Sequence, residues 1–257
     1  MNTNDLIQKA IKSVSELLNS YQASKIPKNK KKASLFSYWL RDYTRMLRCE
    51  ETFDPKRLKT YKRGEIVKVH LGYNIGSEEG GLHYAIVLDN NNRRSDTAIT
   101  IVPLTSIKNN GRPLYHARVA LGDTIYLQLQ EKLSSQKTTL HENLDKNNRE
   151  LDILLNYIQG KADESVHIEK TELKKRIQNL YAAVDKQMKL LDSNDKISNE
   201  ILRMKSGSIA LVDQITTVSK IRIYDPLYYK DVLSGIRVSD EILDLIDDKI
   251  KELYLGK

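Results

Sequence analysis

The stretch GEIVKVHLGYNIGSEEGGLHYAIVLDNN, residues 64–91, decides how this chain folds. In its first part Ile66, Val67, Val69 and Leu71 recur with a period near two, the signature of a β-strand. A loop follows that holds Gly76, Ser77, Glu78, Glu79, Gly80 and Gly81. YAIVLDN, residues 84–90, then reads as a short apolar strand ended by the turn NNNRRSD. Working outward, TAITIVPLTS (97–106) is a β-branched strand and YHARVAL (115–121) alternates again. Short strands joined by turns favour a small antiparallel barrel or sandwich over βαβ units.

Past residue 126 the period changes. Leu133, Leu140, Leu144, Leu151, Leu154 and Ile158 fall on a and d positions of one heptad register, interrupted by Lys137 and Asn147. After a turn at QGKADES, Leu173, Ile177, Leu180, Val184 and Leu191 make a second seam. The pair predicts an antiparallel, coiled-coil-like helical hairpin with arms of roughly 40 Å. The β pattern resumes in SGSIALVDQITTVSKIRIYD (206–225) as two short strands. The chain closes with a helix over about 239–254, capped by Ser239 with acids in its first turns. Before the strands lie two amphipathic helices, over about 5–24 and 33–50. Asn4 or Asp5 can cap the first, and the solvated loop KNKKK separates them. The expected division is a helical extension (1–62), a β domain in two parts (63–126 and 206–257) and an inserted hairpin (127–205).

Charge follows this division. Of 42 Lys and Arg and 34 Asp and Glu, residues 1–62 hold 14 basic and 6 acidic, and residues 63–257 hold 28 of each. The whole excess of eight therefore belongs to the N-terminal segment. That argues against a uniformly basic coat and for a neutral body with a basic attachment. Hydrophobic residues make up 40% and charged residues 30%, which fits a folded chain rather than bulk disorder. No apolar run is long enough to span a membrane, and the N-terminus lacks a signal-peptide pattern. The single cysteine, Cys49, cannot form an internal disulfide and reads as a buried or half-buried small apolar residue. A cytoplasmic protein is expected. No CxxC or HExxH spacing occurs, so neither a metal site nor a cofactor is expected.

Three blocks carry a resemblance. They are Gly76-Ser77-Glu78-Glu79-Gly80-Gly81 with the strand after it, Thr105 at the end of VPLTS, and Asp213-Gln214-Ile215-Thr216-Thr217-Val218-Ser219-Lys220. In this order they resemble the MazF/PemK (Kid-like) toxins of type II toxin–antitoxin systems, over about 110–120 residues. The resemblance implies an α+β protein built on a small SH3-like antiparallel barrel, with the hairpin inserted and helices at both ends. It implies a homodimer, single-stranded RNA as substrate and a possible antitoxin partner. It also implies a metal-independent endoribonuclease in which the ribose 2′-OH attacks the adjacent phosphorus, giving a 2′,3′-cyclic phosphate and a 5′-OH end.

That reaction needs a base for the 2′-OH, an acid for the departing 5′-oxygen and donors for the phosphorane charge. In the family the Arg of GG-x-R and the Thr after the apolar strand supply these. The matching positions here are His83 and Thr105, and the family's Pro is Tyr84. Arg is a permanent phosphate clamp, whereas His titrates near neutrality. Two readings follow. In one, His83 is itself the acid or base, with His116 on a neighbouring predicted strand as its partner. In the other, cleavage is lost and the barrel binds RNA or a protein. Glu78 orients His83, contacts ribose or caps the loop backbone. Ser77, Gly80, Gly81, Arg93, Arg94, Gln214 and Lys220 are the candidate RNA contacts. Each has a plainer alternative in loop geometry, an exposed turn or hydrogen bonding within the barrel.

Overall fold

The computed structural model describes residues 2–107, 114–161, 168–205 and 207–256. Helices α1 (Thr3–Ala23) and α2 (Pro27–Cys49) precede strands β1 (Ile66–His70), β2 (Leu82–Val87), β3 (Ala98–Ser106) and β4 (Arg118–Gly122). Long helices α3 (Thr124–Ile158) and α4 (Lys170–Arg203) follow. Then come β5 (Ser208–Leu211), β6 (Thr216–Ser219), β7 (Ile223–Asp225) and α5 (Asp240–Ile250). The protein is α+β, as the sequence predicts.

Every strand pairing is antiparallel, in the order β4-β5-β3-β2-β1-β7, with β6 also on β3. The order has two ends, so among the described residues the sheet is open rather than a closed barrel. Strand β3 is the junction. Its first residues pair with β6, Ile101–Pro103 pair with β2, and Leu104–Ser106 pair with β5. Alternation along the strands divides the core in two. Ile66, Ile86, Val102 and Leu104 join Ile125, Leu129 and Ile197 of the long helices. Val67, Val69, Ala85, Val87, Ile99 and Ile101 form a second cluster with Tyr61 and Val218. By the same alternation His83 and Thr105 lie on the face of the second cluster.

Several local expectations change. KNKKK is helical, not a loop: Pro27 occupies the first turn of α2, where its fixed φ favours helix and its missing N–H costs nothing. Asn2, not Asn4 or Asp5, caps α1 by accepting from the Asn4 N–H. Residues 206–225 form three short strands rather than two. Cys49, at the solvent end of α2, is exposed. Ser239 does cap α5, accepting from the Ile242 N–H.

The N-terminal helices dock through α2 onto the end of β1 and the loop after it. The Phe36 ring lies 4.8 Å from Tyr73, and Trp39 lies 4.5 Å from His70. Arg222 caps Trp39 at 5.5 Å. Helices α3 and α4 run antiparallel, because Gln136 meets Ser193, Glu150 meets Arg176 and Tyr157 meets Ile168. At their base Glu200 of α4 bonds Lys68 of β1 at 2.5 Å and the Tyr84 hydroxyl of β2. The residue standing where the resemblance expects Pro thus shares with Lys68 the task of tying α4 to the sheet.

Candidate active site

The loop between β1 and β2 is pinched at its neck. Leu71 N donates to the Gly81 carbonyl at 2.8 Å, and Gly81 N donates to the Gly72 carbonyl at 2.6 Å. Gly81 holds φ +90°, open to glycine. A Cβ on Gly80 would sit 3.0 Å from the Gly72 oxygen and 3.2 Å from Asn74 N, so a side chain there would require the loop backbone to give way by a few tenths of an ångström. Inside the loop Asn74 Nδ2 donates to the Glu79 carbonyl at 2.7 Å.

Gln214 explains why the first and third sequence blocks occur together. Its Oε1 accepts from Glu79 N at 2.5 Å, and its Nε2 donates to the Ser77 carbonyl at 3.2 Å. One side-chain amide therefore clamps the loop at two points across 135 residues of sequence. Both ends of Gln214 are engaged in the fold, which uses one of its two donors and one of its two lone pairs.

This clamp aims Glu79 at His83. Glu79 Oε1 lies 3.0 Å from His83 Nε2. On the other side of the ring His83 Nδ1 lies 3.0 Å from the Leu104 carbonyl. Both nitrogens face acceptors, so a ring carrying both N–H groups satisfies the arrangement, and in that form it is a cation. His83, standing where the resemblance expects Arg, is thus held between a carboxylate and a backbone carbonyl. Thr105 follows Leu104 directly. Continuing the Ala85–Pro103 register by two residues sets Thr105 across from His83.

The other expected residues are placed as follows. Glu78 turns away from His83; its Oε2 accepts from Ile75 N at 3.3 Å, so it caps the loop backbone. The carboxylate at His83 is its neighbour Glu79, which sequence reasoning passed over. His116 is not on a strand. It occupies the exposed turn before β4, closed by Arg118 N to the Tyr115 carbonyl at 3.0 Å, and its ring packs on Tyr115. Among the described contacts it makes none with His83. Ser77 is exposed on the loop. Arg93 and Arg94 lie on an exposed turn, where Arg94 Nε donates to the Leu58 carbonyl at 3.0 Å. Lys220 is 1% exposed and donates to the Arg93 carbonyl at 2.9 Å, so it pins that turn from inside. His70 is structural, with Nδ1 accepting from Gly72 N at 3.2 Å; burial lowers its pKa. His141 is exposed, and His167 lies outside the described residues.

Strand, pinched glycine loop, strand and clamping amide stand in the chain order of the blocks that carry the sequence resemblance. Residues 62–153 match the family described as PemK-like, MazF-like toxin of type II toxin–antitoxin systems. The matched stretch runs through β1–β4 and well into α3, past the point at which the hairpin was expected to leave the family's domain. No curated protein matches the chain. Among the described residues no helix is long and apolar enough to cross a membrane.

Proposed function

We propose that the chain is a metal-independent endoribonuclease toxin acting on single-stranded RNA, with Glu79 and His83 as its acid–base pair. The observation that carries this reading is the 3.0 Å contact between Glu79 Oε1 and His83 Nε2, with the ring oriented by the Leu104 carbonyl. When a phosphodiester enters between the two side chains, the Glu79 carboxylate takes the proton of the 2′-OH. The 2′-oxygen attacks phosphorus, and the bond from phosphorus to the 5′-oxygen breaks. His83 Nε2 gives its proton to that leaving oxygen. The products are a 2′,3′-cyclic phosphate and a 5′-OH end. Thr105 donates to a phosphoryl oxygen. General acid–base steps of this kind contribute about 10²–10⁴-fold each.

RNA is held beside this site by α2. The helix rests on the loop through Phe36 and on the end of β1 through Trp39, and it exposes Lys28, Lys30, Lys31, Arg41, Arg45 and Arg48. Such contacts are sequence-independent and salt-dependent. The partners follow the family: RNA as substrate and an antitoxin as inhibitor, in the cytoplasm, on a barrel-like sheet.

The test is incubation of the protein with mixed-sequence RNA in excess EDTA. Wild type should cut, and His83→Ala should lose at least about 10²-fold in rate. No cutting by wild type at stoichiometric protein, with RNA still retained, would replace this reading by that of a binding module.

A further inference from the structure

The seam between α3 and α4 buries fewer apolar residues than the heptads predict. Of those heptad positions Leu140 and Leu154 are buried, while Leu144, Leu151 and Ile158 are exposed. On α4 the buried seam positions are Gln187, Asn194 and Ile197. A second set of apolar residues on α4 lies to one side of that seam. It comprises Ile177, Tyr181 (75% exposed), Val184 (43%), Met188 (65%) and Leu191 (47%). Their spacing is 4-3-4-3, a regular seven-residue repeat of its own. Helix α4 therefore carries two stripes, one used within the chain and one left largely in solvent.

The two ends of the second stripe carry opposite charges. Continuing the same spacing toward the tip of the arm gives Lys174, and toward the base it gives Asp195, both exposed. Two further acids flank the stripe, and each is bonded within its own helix. Asp185 accepts from Lys189 at 2.6 Å, and Asp192 accepts from Lys196 at 2.6 Å. We propose that this stripe is an interface with a second copy of the chain, in which two α4 helices cross antiparallel about a twofold axis at Val184. In that register Val184 meets itself. Tyr181 meets the other copy's Met188, Ile177 meets Leu191, and Lys174 meets Asp195.

Three features of the sequence and fold select this occupant. First, the apolar stripe is nearly symmetric about Val184, with Ile177 and Leu191 seven residues to either side and Tyr181 and Met188 three before and four after, close to what an isologous contact requires. Second, the charge at its ends is antisymmetric about the same residue. Antiparallel pairing therefore sets Lys174 on Asp195 twice, once at each end, whereas parallel pairing sets like on like. Third, all of these positions lie within the one helix Lys170–Arg203, so one straight element presents the whole stripe. With the arms antiparallel, the two sheets sit at opposite ends of the pair. This interface is independent of the catalytic reading.

Cross-linking tests it on the full chain. In a Cys49→Ser background, Val184→Cys should form a disulfide-linked dimer under mild oxidation, and Leu202→Cys, exposed at the base, should not. Mixed Tyr181→Cys and Met188→Cys chains should cross-link to each other far more than either does alone. In sedimentation velocity, Asp195→Lys should weaken the association at least about threefold, because it turns both end pairs into repulsions. Adding Lys174→Glu should restore it. Circular dichroism checks that helix content is unchanged in each variant. Absence of a Val184→Cys dimer, equal cross-linking at Leu202→Cys, or failure of the second charge reversal to rescue the first would overturn the proposal.

Discussion

Glu79 Oε1 stands 3.0 Å from His83 Nε2, while the neighbouring glutamate, Glu78, is turned away. Two adjacent carboxylates therefore give opposite predictions. Glu79→Gln removes the proton acceptor and should lower RNA cleavage by about 10²-fold or more, with little change in melting temperature. Glu78→Gln should stay within a few-fold of wild type. Single-turnover cleavage rates of the two variants decide this. Equal loss in both would assign the effect to loop charge rather than to proton transfer.

The loop clamp gives a second prediction. Gln214→Ala deletes two hydrogen bonds to the loop backbone, at Glu79 N and the Ser77 carbonyl. At about 1 kcal/mol each, stability should fall by about 1–2 kcal/mol. Activity should fall further, because Glu79 loses its aim. Gln214→Glu keeps the acceptor for Glu79 N but not the donor for Ser77, and should fall between. Urea melts and cleavage rates measured on the same preparations compare the two effects.

A third concerns the junction of helix and sheet. Glu200 is shared by Lys68 and Tyr84, and burial together with this bond raises the Tyr84 pKa. Glu200→Gln leaves the Lys68 ammonium short of its counter-charge. The cost should be about 2–3 kcal/mol, below that of a fully buried pair because both side chains keep some solvent contact. Tyr84→Phe should cost about 1 kcal/mol. If Tyr84 has taken the place of a family proline in order to hold α4, neither variant should alter the cleavage site. Chemical denaturation measures the first effect, and sequencing of the cut ends measures the second.

How much of this was legible beforehand depended on whether geometry follows from sequence spacing. Alternation in 66–71 and β-branched residues in 97–106 implied strands, and the glycine pair at 80–81 implied a tight loop, because these signals are local. Glu79 could not be read as the partner of His83, because four residues between a loop position and a strand imply no distance. It took Gln214, more than a hundred residues away, to fix it. His116 was placed on a strand because YHARVAL alternates, but the turn at Tyr115–Ala117 delays β4 to Arg118. Lys220 looked like an RNA contact by type and lies inside the fold instead, with burial lowering its pKa. The α4 leucines and valine looked like core because a heptad says only that a partner exists, not which one.

Stability should also depend on pH through Asp225, whose carboxyl is pushed by burial up to about 6; a bond from Leu233 N opposes the shift, and Asp231 and Glu200 add to it. A carboxyl whose folded pKa lies above its unfolded value near ~4 favours folding when protonated. Its contribution is present below about pH 4 and is lost as pH rises through about 6. Asp225→Asn keeps an acceptor for Leu233 N without the charge. The variant should therefore melt above wild type at pH 8, with the gap closing toward about pH 4.5. Thermal scans across that range read the difference directly, and a gap that widens at low pH would contradict the assignment.

The central claim is that the 2′-OH of RNA is the nucleophile and that Glu79 and His83 move its protons. It is tested most directly by mass spectrometry of the fragments released from a defined RNA in excess EDTA. The account predicts fragments ending in a 2′,3′-cyclic phosphate, complementary fragments beginning with 5′-OH, and no cut where a single 2′-deoxy residue replaces the nucleotide 5′ to the scissile bond. Fragments beginning with a 5′-phosphate, or cleavage that survives that 2′-deoxy substitution, would contradict it.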